Sequence, residues 1–120
     1  MSSTRSQANM IGDIARRGMP QAIVERRLAQ AGLGVLRALR GSSMTTEDAG
    51  RDLFNLATYL AARRRRLDPG LIELLEWGME LDDVERLAPE SFGESLRAME
   101  DLLLRVISRS LRKGRRGRRA

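Results

Sequence analysis

Residues 90 to 112 read ESFGESLRAMEDLLLRVISRSLR, and this stretch decides the fold class. Phe92, Leu96, Met99, Leu103, Val106 and Ile107 recur at steps of three and four. Such spacing predicts one helix from about Glu90 to Arg112, with an apolar stripe wide enough to face a core rather than a thin seam. Gly114 and Gly117 are expected to break it within the basic run that follows.

Upstream, Pro89 ends a segment in which Leu81, Val84 and Leu87 keep helical spacing. That segment continues a helix beginning at Pro69, where Asp68 supplies an N-cap and the proline a first helical position. Leu71, Ile72, Leu75, Met79 and Trp77 give it an apolar side, and Gly78 is expected to permit a bend. Thr45 followed three residues later by Asp48 reads as a capping box, so a helix starts near Thr46. Its apolar side is Ala49, Leu53, Leu56 and Leu60, with Asn55 a point at which it divides in two. From Gln21, the positions Ile23, Leu28, Ala31, Val35 and Leu39 define another helix, stopped by Gly41. Gly32 and Gly34 inside it point to close helix approach.

No segment shows sustained alternation with period two, so the expected fold is all-α: a compact bundle of five or six short helices with a flexible basic C-terminal tail. The long last helix should pack on the Gln21 to Arg40 helix. The expected organisation is a weakly ordered polar leader over residues 1–19, with a turn or two of helix around Ile11 and Ile14. A helical domain over 20–108 and a basic tail over 109–120 follow. With a polar N-terminus and no apolar run near the roughly 18 residues that span a bilayer, the chain reads as cytoplasmic and without membrane contact.

Charge is distributed unevenly. The net +6 would ordinarily suggest a nucleic-acid partner, but residues 109–120 hold seven of the 22 basic residues and none of the 16 acids. Fifteen bases therefore face sixteen acids in residues 1–108. Within that body, residues 71–101 carry ten acids and only Arg86 and Arg97 in opposition. The absence of both Cys and His removes the usual thiolate nucleophile, the commonest general base and the ordinary ligands of zinc. Ser42, Ser43, Ser91 and Ser95 have no His or body lysine to activate them. The expectation is a protein with no catalytic residues, no cofactor and no metal.

Three stretches together carry a family resemblance: Gly32-Leu-Gly-Val-Leu-Arg-Ala-Leu39, Met44-Thr-Thr-Glu-Asp-Ala49 followed by Leu53-Phe-Asn55, and Leu75-Glu-Trp-Gly-Met-Glu-Leu-Asp-Asp-Val-Glu-Arg-Leu87. They resemble a family of small bacterial all-helical proteins known as domain of unknown function three-nine-six-nine. The similarity covers roughly Leu28 to Ile107, leaving out the leader and the basic tail. Arg63 to Arg66 is richer in arginine than the family's usual spacer. The resemblance implies an all-α fold and transfers no catalytic residue, because the family's activity is unassigned.

Two candidate surfaces remain. The first is the acidic patch of Glu76, Trp77, Glu80, Asp82, Asp83 and Glu85, in which an exposed ring among carboxylates would anchor a basic protein partner. It suggests a non-catalytic interaction module of the immunity or adaptor kind. Glu73, Glu76, Glu80 and Asp83 also step along one helix like Mg²⁺ ligands, but a solvated face is the simpler account. The second surface is the tail, Arg109, Arg112, Lys113, Arg115, Arg116, Arg118 and Arg119, which could neutralise nucleic-acid phosphates. No aromatic residue stands between these bases for stacking, and a solubilising tail, or one folded back on the acidic stretch, accounts for it as well. Thr46 to Arg66 makes a poor helix-turn-helix, since Phe54 and Asn55 occupy the turn. Four arginines at a helix C-terminus complement its dipole.

Overall fold

Each apolar stripe must find a partner away from water, and the computed structural model shows which ones meet. It describes the backbone of residues 10–16 and 18–119, and the side chains of residues 10–16 and 18–112. The helices are α1 (residues 10–15), α2 (Gln21–Arg40), α3 (Thr46–Asp52), α4 (Leu56–Arg65), α5 (Pro69–Leu87) and α6 (Phe92–Arg119), with a 3-10 turn at Pro89–Ser91. No strand occurs among the described residues. The fold is an all-α bundle with α6 as its spine.

At 28 residues, α6 runs for roughly 42 Å and packs antiparallel against both α2 and α5. On one side Gly32 of α2 lies against Leu103, where an added Cβ would be 3.0 Å from the leucine and 3.2 Å from Leu74. A missing side chain thus joins three helices. On the other side Gly70 of α5 meets Val106 in the same way, at 2.7 Å. Leu28, Leu36, Leu71, Leu74, Leu75, Leu96, Met99 and Leu103 fill the space between. Gly34, also expected at a close approach, faces open space.

The capping expectations hold. Thr45 Oγ1 accepts from the Asp48 amide at 3.0 Å while Asp48 accepts from the Thr45 amide at 3.3 Å. These bonds hold the Asp48 carboxyl below its ordinary pKa, with Arg51 adding to the effect. Asp68 Oδ1 accepts from Gly70 N at 2.8 Å, and Pro69 opens α5.

Three local readings need correction. Gly78 does not interrupt its helix: α5 is continuous from Pro69 to Leu87, and the Phe54 ring lies against the glycine where a side chain would otherwise stand. Leu56 and Leu60 do not continue the apolar side of α3 and are 60% and 44% exposed. Asn55 caps a new helix, accepting from Thr58 N at 2.9 Å, so the phase restarts and α4 buries Thr58 and Ala62 instead. Gly114 and Gly117 do not stop α6, which runs through both to Arg119. Intervening arginines are good helix formers and offset part of the glycine penalty of about 1 kcal/mol each.

The expected leader is more than a leader where it is described. Ile14 of α1 is buried in the common core and Met10 packs against it. Arg65, in the last turn of α4, donates to the carbonyls of Ile14 (2.8 Å), Arg16 (2.7 Å) and Met19. One guanidinium therefore satisfies carbonyls at and just beyond the C-terminal end of α1 and ties them to α4. Residues 1–9 of the expected leader lie outside the described residues.

Candidate functional site

The acidic patch occupies the second half of α5, and the structure divides its six residues between two tasks. All six are exposed, but only Glu76, Trp77, Glu80 and Asp83 are free of hydrogen bonds to α3 among the described residues. Trp77, at 38% exposure, stands at the edge of a groove of about 240 Å³ between α5 and α6, with Glu80, Leu81, Val84, Ala98 and Met99 around it. Glu76 Oε1 accepts from the Tyr59 hydroxyl at 2.8 Å, and the Arg63 guanidinium sits 5.8 Å from the centre of that tyrosine ring. Asp83 pairs with Arg86 at 2.6 Å.

Asp82 and Glu85 serve the fold. The buried Thr46 hydroxyl donates to Glu85 Oε1 at 3.0 Å, with Asp82 Oδ1 at 3.4 Å. Thr46 opens α3, so both carboxylates also lie near the positive end of that helix. Sequence spacing shows that 82 and 85 share a face of α5, but gives no sign that α3 crosses there. The carboxylates of Glu73, Glu76, Glu80 and Asp83 are strung along roughly 15 Å of one helix. Among the described residues no group of three or more such side chains converges on a point where a metal could sit.

The basic residues gather at the opposite end. Because α6 runs antiparallel to α5, its basic end lies beside the start of α5 rather than beside the acidic half. Arg109 Nη2 reaches Asp68 Oδ1 at 3.2 Å, and Arg66 lies two residues before that aspartate. Gln21 donates to the Arg66 carbonyl at 3.0 Å, and Asp68 N donates to Glu25 at 2.6 Å, which fixes the start of α2 to the same corner. Arg66 itself takes a left-handed conformation (φ 59°) that ends α4. The terminal run thus starts at the corner where the middle run ends, two residues before Asp68, although Arg65 is withdrawn to hold α1. Fold-back of the basic run onto the acidic half of α5 is incompatible with the direction of α6. Arg112 is exposed, whereas the side chains of Lys113, Arg115, Arg116, Arg118 and Arg119 lie outside the described residues. No helix among the described residues is long and apolar enough to cross a membrane.

No curated protein and no solved structure matches the chain. A family model does, over residues 20–116, and so takes in part of the basic run that the sequence resemblance had left aside. With its capped helices, glycine contacts and most of the spine helix falling within that span, the chain belongs to the family described as Protein of unknown function (DUF3969).

Proposed function

We propose that this chain is a non-catalytic binding protein of the bacterial cytoplasm that docks a basic protein partner on the outer face of α5, in the manner of an immunity or adaptor protein. The observation that carries the reading is Trp77, half-exposed beside an apolar groove and neighboured by Glu76 and Glu80. Tryptophans in such positions dominate interface energies, and surrounding carboxylates speed encounter with a partner of opposite charge. A fitting partner presents one apolar side chain for the groove, flanked by lysine or arginine. The absence of His and Cys supports a role without catalysis.

The test separates docking from folding. Glu80→Lys with Asp83→Lys, and Trp77→Ala separately, should each abolish recovery of a partner from the native cell extract while leaving the thermal melt within a few degrees. Variants at Asp82 and Glu85 are unsuitable because both bind Thr46. Partner recovery that survives the double reversal and the tryptophan truncation alike would overturn the proposal.

A second reading is favoured by the ion pair of Arg109 with Asp68, which brings the start of the terminal basic run to the corner where the middle arginine run ends: phosphate binding at the basic end, continued along α6 by the basic residues of 112–119. Duplex affinity should then fall linearly with log salt concentration, with a slope of about −0.9 per phosphate neutralised. Deleting residues 113–120 should flatten the slope by several contacts. Binding that is absent at low salt, or unaffected by the deletion, removes this reading.

A further inference from the structure

Asp52 is the last residue of α3, where a carboxylate opposes the negative end of the helix dipole. Its Oδ1 is shut away from solvent and has no hydrogen-bond partner among the described residues. The residue as a whole is only partly buried, so the cost falls on this one oxygen, which has given up water without gaining a donor among the described residues. Arg27 and Gln30 share the surrounding wall, yet neither donates to it; Arg27 is held by Asp13 Oδ2 at 3.0 Å. An asparagine at this position would be better tolerated by the helix and by the burial alike.

The same carboxylate lines a groove of about 460 Å³ bounded by α1, α2 and α3, within the size range of small-molecule sites. Met10, Val35, Met44 and Leu53 form its apolar part. Asp13 and Arg27 cancel each other across their ion pair, so among the described residues lining the groove Asp52 is left as the one charge without a partner, beside an apolar wall. A bare metal ion would find no second available carboxylate there and would leave the apolar wall unused.

We propose that this groove binds a small organic cation, with an ammonium donating to Asp52 and an aliphatic body lying over Met10, Val35, Met44 and Leu53. The site is independent of the docking face on α5, and neither stands or falls with the other. The uncompensated carboxylate is then a binding group whose charge the ligand satisfies, retained at the expense of the unliganded fold.

The experiment compares n-hexylammonium with 1-hexanol, equal in length and differing in charge, at constant ionic strength. Amide chemical shifts of the full chain should move around Val35, Met44, Asp52 and Leu53, with the ammonium binding about tenfold more tightly than the alcohol, as one charge-assisted hydrogen bond allows. Asp52→Asn should bring that ratio to about one while keeping or raising the melting temperature of the unliganded protein. Equal affinities for the two probes in the native chain, no response to hexylammonium, or a lowered melting temperature for the asparagine variant would each overturn the proposal. The last would make the carboxylate a part of the fold.

Discussion

Gly78→Ala is expected to destabilise the protein by about 3 kcal/mol or more, an unusually large effect for one methyl group. An added Cβ at this position would lie 2.2 Å from two atoms of the Phe54 ring, far inside any real contact. The ring is itself buried, with Leu53 and Ala62 also in the core, so it has no ready retreat. Two controls fix the cause. Gly34→Ala introduces the same methyl group into a helix interior with nothing within 4 Å, and should gain up to about 1 kcal/mol from helix propensity alone. In a Phe54→Ala background, itself costing about 3–5 kcal/mol, Gly78→Ala should turn neutral or favourable. Urea denaturation midpoints at unchanged slope measure all four proteins. A Gly78→Ala variant that unfolds at the wild-type midpoint would mean that Phe54 does not lie on α5 as described.

Arg65→Ala should release α1 from the body while leaving the remaining helices paired. The guanidinium satisfies carbonyls of Ile14, Arg16 and Met19, and each carbonyl left without a donor costs about 1–3 kcal/mol where water cannot reach it. Release would also expose Ile14, which is 2% accessible in the native fold. Hydrogen exchange should show amides 10–16 approaching unprotected rates while those around Leu36, Leu75 and Leu103 stay slow. Arg65→Lys should not restore protection, because one ammonium cannot reproduce a planar fork that reaches four carbonyls, those of Asp13, Ile14, Arg16 and Met19. Arg64→Ala, on an exposed neighbour, should change stability by no more than about 0.5 kcal/mol. Unchanged protection of residues 10–16 in Arg65→Ala would show that Ile14 alone holds α1.

The contrast between Arg64 and Arg65 shows how far the sequence could be read. Both belong to a run that, as sequence, is simply a positive helix end complementing a dipole. Which arginine turns inward depends on where α1 lies, some fifty residues earlier in the chain, and no local pattern encodes that. The acidic patch divides for the same reason. Glu80 and Asp83 stay in solvent, whereas Asp82 and Glu85 meet a threonine on another helix. Gly32 and Gly34 are two residues apart in α2, yet only the first touches anything.

What could be known from residues in order was everything carried by contacts within a few positions: the all-α class, the Thr45–Asp48 and Asp68–Pro69 helix starts, the break at Asn55 and the stripe that makes α6 the spine. Hydrogen bonds to the first turn and the helical repeat act over four residues or so, and leave their mark in spacing. The seat of Phe54 on Gly78, the tether from Arg65 to α1, the meeting of Arg109 with Asp68 and the uncompensated charge of Asp52 had to await the packed molecule. Each depends on which helix faces which, and that choice is made by the summed burial of whole apolar faces, a quantity that no single stretch of the chain contains.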